Sequence, residues 1–266
     1  MSYCMVLESF VPPAETGRAH PTQTMANTAV QSGAIRTPLS LPARFFGIIT
    51  SPRATYESVV ANPKWLGMLA LVAVLMAVVV GGFLKTKVGQ EAWLDAATNS
   101  PMGGQVSEQQ LQGMEKMAPY VGYITACFFL FLTPIVLAVI SGILFAVFNA
   151  ALGGEATFKQ VFTVAVHTGP IGLLAQLFTA PLNYARGTMT SSSNLGVLAQ
   201  SVLSDGSFAA RLLGAIDIFL IWQLFVLSIG LAVLYRRRTQ PIATSLFVLY
   251  AVIAVIVAFV RRGAGA

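Results

Sequence analysis

The run LLGAIDIFLIWQLFVLSIGLAVLYRRRTQPIATSLFVLYAVIAVIVAFV at residues 212–260 decides the fold. Two apolar stretches, 212–235 and 241–260, flank three consecutive arginines, Arg236, Arg237 and Arg238. A bilayer core about 30 Å thick takes roughly 20 apolar residues at about 1.5 Å rise each, so either stretch is long enough to cross it. The arginines then mark a turn in water. Working outward, the same length test finds spans at 65–84, 120–148 and 161–182. The chain therefore reads as all-α, an integral membrane bundle of five transmembrane helices. Composition agrees, because 56% of the 266 residues are hydrophobic and 10% are charged, too few to cover a water-soluble domain of this length.

The uncharged stretch 117–154 carries Pro134 near its middle. Divided there, it would give two passes of about 15 residues, too short to span. One tilted helix is expected instead, kinked where Pro134 removes a backbone hydrogen bond.

Orientation follows from Lys and Arg in the short flanks, counted without regard to acidic residues. The arginine turn contrasts with loop 183–207, whose basic residue is Arg186, and so belongs in the cytoplasm. Five spans then place the N-terminus there too, in agreement with Arg44, Arg53 and Lys64, while Arg261 and Arg262 fall outside against the trend. The plain N-terminus and short loops suggest a bacterial inner membrane. The net charge of +6 comes from residues flanking the spans, which points to anionic lipid headgroups and away from nucleic acid. Expected partners are the lipid bilayer and other membrane proteins or a second copy.

Residues 1–40 mix Pro, Thr, Ser, Ala and Gly without periodic apolar pattern and read as a disordered tail. With no central apolar region of a signal peptide there, the first span is expected to be an uncleaved anchor. From 41 to 64 the texture changes: Phe45, Phe46, Ile48 and Ile49 precede Ser51-Pro52, after which Tyr56, Val59 and Val60 recur at helical spacing. A short amphipathic interfacial helix is expected, capped by Ser51 with Pro52 at its first position, which either packs under the bundle or docks a partner. Ser107 and Glu108 announce another short surface helix between the first two spans. The bundle occupies 65–260 and a short tail 261–266.

Ionisable groups inside a bilayer are functional candidates by default. Asp217 falls about six residues, or roughly 9 Å, inside the fourth span, and His167 about eight residues, or roughly 12 Å, inside the third from the opposite surface. Matching depths gives two polar layers, His167 with Gln223 and Asp217 with Gln176 or Thr125, each joining helices by bonds worth about 0.6 kcal/mol. Gly169-Pro170 interrupts the third span directly after His167; a simple proline kink is the first reading of this break, and the freed carbonyls also make it the best candidate for a small polar cavity. Gly142, Ala146 and Ala150 form a small-residue stripe for close helix approach. Trp65, Tyr120, Tyr184 and Tyr235 stand near span ends, as interfacial anchors should.

Reactive chemistry is sparse. There is no phosphate-binding G-x-x-x-x-G-K-[ST], no G-x-S-x-G elbow, no H-E-x-x-H and no C-x-x-C. His167 is the one histidine of the bundle and Asp217 has no carboxylate beside it, so no catalytic, cofactor or metal site is expected.

In order along the chain, Ser51-Pro52 with Tyr56, Asn62-Pro63, Gly153-Gly154, Thr157-Phe158, and Asp217 with Phe219, Trp222, Leu224 and Ile229-Gly230 resemble the Yip family, named for Ypt/Rab-interacting membrane proteins, in its bacterial branch. The resemblance runs from about 41 to 260. It implies a five-helix fold with a cytoplasmic N-terminus, and its eukaryotic members are linked to vesicle traffic and small GTPases. The tail here carries no recognisable match to their cytoplasmic domain. The family and the lack of a reactive cluster favour a non-enzymatic membrane scaffold or membrane-organising protein. The alternative is a small transporter or channel subunit using Asp217 and His167, although no internal repeat typical of transporters is evident.

Overall fold

The computed structural model describes residues 39–98, 106–199 and 207–263. Apart from Leu39 and Ser40, the expected N-terminal tail lies outside them. Regular structure among the described residues is helical: α1 Leu41–Thr50, α2 Pro52–Ala61, α3 Leu66–Lys85, α4 Lys87–Thr98, α5 Glu108–Met117, α6 Val121–Leu152, α7 Phe158–His167, α8 Gly169–Arg186, α9 Leu195–Ala199, α10 Phe208–Gly214, α11 Ile218–Leu234 and α12 Thr239–Gly263.

Four helical stretches are long and apolar enough to cross a bilayer: Leu66–Lys85, Glu108–Ala150, Phe158–Arg186 and Thr239–Val260. The expected fourth span is shorter than the sequence suggests. Its helix α11 begins at Ile218 and has 17 residues, about 26 Å at the usual rise. The second span is one uninterrupted helix through Pro134, as its length requires. The surface helix foreseen at Ser107 is α5, closed by a reciprocal Ser107–Gln110 capping box.

The expected interfacial helix is two helices rather than one. Ser51 sits between them at φ −144°, ψ 62°, and its side chain makes no cap bond; Pro52 opens α2. The pair is amphipathic as expected: one face packs against the bundle, while Phe46, Arg53, Ala54 and Glu57 stay exposed. Ile48, Tyr56 and Val59 are buried in one core with Val161, Val164, Val226 and Leu231 of the spans. The Tyr56 hydroxyl donates to the Val164 carbonyl at 3.3 Å. Burial pushes the Tyr56 phenol above its usual range, which keeps it protonated as a donor. The ring lies over Gly230, where a Cβ would come 2.8 Å from Tyr56 Cζ and 2.6 Å from Val164 Cγ1.

Close helix approach occurs elsewhere than expected. Ala146 and Ala150 of the foreseen stripe are exposed. The small residues in contact are Ala73, Ala77 and Gly81 of α3, all buried, with Gly81 meeting Gly122 and Ala126 at the start of α6. A Cβ on Gly122 would stand 2.7 Å from the Gly81 carbonyl oxygen, so the two backbones nearly touch.

The Gly153-Gly154 joint is explained by two needs. Gly153 ends α6 in the left-handed region at φ 59°, and Gly154 leaves room for the Tyr235 ring, 2.5 Å from where its Cβ would be. Tyr235 is therefore no lipid anchor: it is buried, and its hydroxyl donates to Asn149 Oδ1 at 2.8 Å. Tyr120 and Tyr184 are exposed as anchors should be.

A methyl group at position 230 has nowhere to go. Gly230→Ala should cost about 1–3 kcal/mol, the usual penalty of overpacking, read as a lower thermal midpoint of the purified protein. Combining it with Tyr56→Ala should be less than additive, because the second change removes the clash. Strictly additive penalties would show that the two positions are not packed on each other.

Candidate functional site

A cavity of about 330 Å³ opens between α3, α6, α8 and α11. Its wall is mostly apolar, with Val72, Met76, Phe129 and Leu137 on one side and Phe219 and Leu220 on the other. Four polar side chains reach it: Thr133, Gln176, Asp217 and Gln223.

The break in the third span shapes this space. Thr168 closes α7 and opens α8, and its hydroxyl donates to the Ala165 carbonyl at 2.6 Å. Pro170 then fits the first turn of α8, where its missing N–H costs nothing. Gly169 lines the cavity and allows α8 close to α3, since a Cβ there would meet Val72 Cγ1 at 3.1 Å. One turn on, Gly172 faces the Gln223 carboxamide, whose Nε2 is 3.7 Å from its Cβ position. Gln223 thus lies beside the helix that carries Gln176.

Asp217 is not inside a helix. It is the N-cap of α11, with Oδ1 accepting from the Phe219 and Leu220 backbone N–H groups at 2.9 and 3.1 Å. The Ser191 hydroxyl donates to Oδ2 at 2.9 Å, and the Ser193 hydroxyl donates to the same oxygen. Its own N–H donates to the Tyr250 hydroxyl at 3.0 Å, which in turn donates to the Ala215 carbonyl at 2.9 Å. An isolated antiparallel bridge between Asn194 and Asp217 completes the joint. A carboxylate at a helix N-terminus satisfies free backbone donors and meets the positive end of the helix dipole. The apolar residues 212–216 concealed this end of the helix in the sequence.

His167 is fully buried and accounted for differently. Its Nδ1 lies 2.7 Å from the Thr163 carbonyl of its own helix, and Nε2 has no partner. It bonds neither to Gln223 nor into the cavity, although its neighbours Val166 and Gly169 line the wall. Thr125 is half-buried away from the lining, and Thr133 takes the place expected for it. Instead of two layers, Asp217, Gln176 and Gln223 border one space, with His167 apart. The bonding partners of Asp217 are Ser191, Ser193 and the helix backbone, not Gln176 or Thr125. No trio of His, Cys, Asp or Glu side chains that could hold a metal occurs among the described residues.

Of the motif residues named from sequence, Ser51, Pro52, Gly153, Gly154 and Phe158 sit at joints between helices, while Phe219, Trp222 and Gly230 lie within α11. Ser51 and Pro52 turn the α1–α2 hairpin, and Gly153 and Gly154 end α6. Phe158 opens α7 behind a Thr157–Gln160 capping box and stacks on Phe162 at 6.0 Å. Phe219 lies 6.3 Å from Trp222 and 5.6 Å from Phe178 across to α8. Ser191, Ser193, Asn194, Tyr250 and Asn149 carry no sequence signal that sets them apart, because their roles depend on elements brought together by folding.

Loss of the cap should be measurable. Asp217→Ala is expected to cost about 0.5–2 kcal/mol, seen in the denaturation midpoint of the purified protein. Asp217→Asn keeps an oxygen for the helix donors and should fall closer to the unaltered chain. An Asn variant less stable than the Ala variant would contradict the capping role.

Comparison with known proteins supports the same architecture. Membrane protein YknW of Bacillus subtilis (strain 168) is 25% identical over 192 residues, covering 70% of this chain and 76% of that protein. No solved structure matches. The Yip1 domain matches residues 46–261, from within α1 to the last turn of α12, and this chain is a multi-pass helical membrane protein belonging to that family.

Proposed function

We propose that this protein is a non-enzymatic membrane-organising scaffold of a bacterial inner membrane. Its arginine-turn end faces the cytoplasm and docks other membrane proteins or a second copy. The observation that carries this reading is the α1–α2 hairpin. Buried through Ile48, Tyr56 and Val59, it is joined to the spans, while Phe46, Arg53 and Ala54 face outward. A partner held on that outer face would be coupled rigidly to the bundle. The orientation is supported by basic residues gathered at the same end, where Arg53 borders a pocket with Arg236, Arg237 and Arg238.

The alternative, a small transporter or channel subunit using Asp217 and His167, has less support. Asp217 is engaged as a helix cap by four donors, and His167 is sealed from the cavity that Asp217 borders. A proton path needs ionisable groups in contact or joined by water, and these two share no space.

Deleting 41–64 would strip the core as well as any docking face, so surface substitutions are the cleaner test. Proximity crosslinking in native membranes should recover partners with the intact protein and lose them with Phe46→Ser/Arg53→Ser. That double substitution breaks the Arg53–Glu57 ion pair, which is 3.8 Å long and exposed, and such pairs contribute little to stability. An unchanged set of partners, or none with the intact protein, would count against the scaffold reading.

A further inference from the structure

Three polar side chains from three helices face the cavity without a hydrogen-bond partner among the described residues: Thr133 of α6, Gln176 of α8 and Gln223 of α11. Several other hydroxyls of the spans are paired within their own helix, although Thr125 and Thr244 are not. Ser141, Thr163, Thr179 and Ser228 each donate to the carbonyl four residues earlier. An amide left unpaired at membrane depth is expensive, because hydrocarbon offers it nothing. All three are half-buried, with polar atoms open to the cavity, so an occupant that offers them hydrogen bonds is favoured over hydrocarbon alone.

The lining defines the chemistry of that occupant. A carboxamide both donates and accepts, as does a hydroxyl, so the complement must carry donors and acceptors together. No basic side chain lines the space, and the Asp217 carboxylate at its edge is already held by four donors. A charged head would meet no counter-charge there. At roughly 30 Å³ for each water-sized group, 330 Å³ admits a small head and a piece of chain. Water pairs with the polar edge, but Met76, Phe129 and Leu137 offer it no partner, whereas an apolar chain fits that side.

We propose that this cavity binds a neutral, hydroxyl-bearing lipid of the monoacylglycerol class. Its glycerol head lies between Gln176 and Gln223, within reach of Thr133, and its chain runs along Met76 and Phe129.

The test uses the full-length protein in lipid nanodiscs with a monoacylglycerol that carries a photoactivatable diazirine on its chain. Labelling should fall on the segments around Met76 and Phe129 and be competed by monoolein but not by dioleoylphosphatidylglycerol. Gln176→Leu/Gln223→Leu should reduce labelling by about tenfold, in line with the loss of two or more hydrogen bonds. It should melt no lower than the unaltered protein, since leucine removes the unpaired amides. If that variant fails to fold, Gly172→Leu serves as the second, filling the space beside Met76, whose Cε lies 3.5 Å from the Gly172 Cβ position. Loss of labelling in a folded variant supports the site. The proposal is overturned by unchanged labelling in the folded variants, by equal competition from the anionic lipid, or by no labelling of the unaltered protein, which would mean a cavity filled by water.

Discussion

A phenol ring seated over a glycine holds the arginine-turn end of this molecule together. Tyr56 can lie there because Gly230 has no side chain, and its hydroxyl reaches the Val164 carbonyl of the neighbouring span at 3.3 Å. One side chain thus links the hairpin ahead of the first span with the third and fourth spans. Apolar helices gain little from one another in lipid, where tails are as apolar as leucine, so close packing of this kind must supply the association. The near contact of Gly81 with Gly122 does the same between the first two spans.

Polar groups follow from the same constraint. Chain ends at a membrane surface expose backbone donors and acceptors that must find partners, and here side chains provide them. Thr157 and Gln160 close one helix start, Asp217 closes another, and Asn149 Nδ2 donates to the Ala156 carbonyl at a third joint. Asp217 also gathers the serines of the preceding loop and, through its backbone N–H, Tyr250 of the last span. Unlike these satisfied joints, the carboxamides of Gln176 and Gln223 border the cavity without a hydrogen-bond partner.

Span positions were legible in the sequence because length and apolar content are properties of a linear window. The helix break at Gly169-Pro170 was legible too, since proline lacks an N–H wherever it stands. Helix ends hidden in apolar surroundings were not. Residues 212–216 carried the apolar window past the true start of α11, although an acid directly before an apolar run is also the mark of an N-cap. Small residues four apart occur on both α3 and α6, and spacing alone does not say which stripe meets a neighbour. Tyr235 shows the same ambiguity, for an aromatic ring at a span end can face lipid or core. That Gln223 stands beside Gly172 depends on how two helices cross, which no local pattern encodes.

If the hairpin is part of the bundle, it should share the bundle's stability. Hydrogen exchange of the protein in nanodiscs measures this directly, because amides freed by local opening exchange long before those that need global unfolding. Amides of 55–61 should be protected as well as those of α7 and α11, and Tyr56→Ala should lower protection in all three together. Rapid exchange of 55–61 beside a protected α7 and α11 would mean that the hairpin merely rests on the membrane surface, and the coupling of a docking face to the spans would be lost.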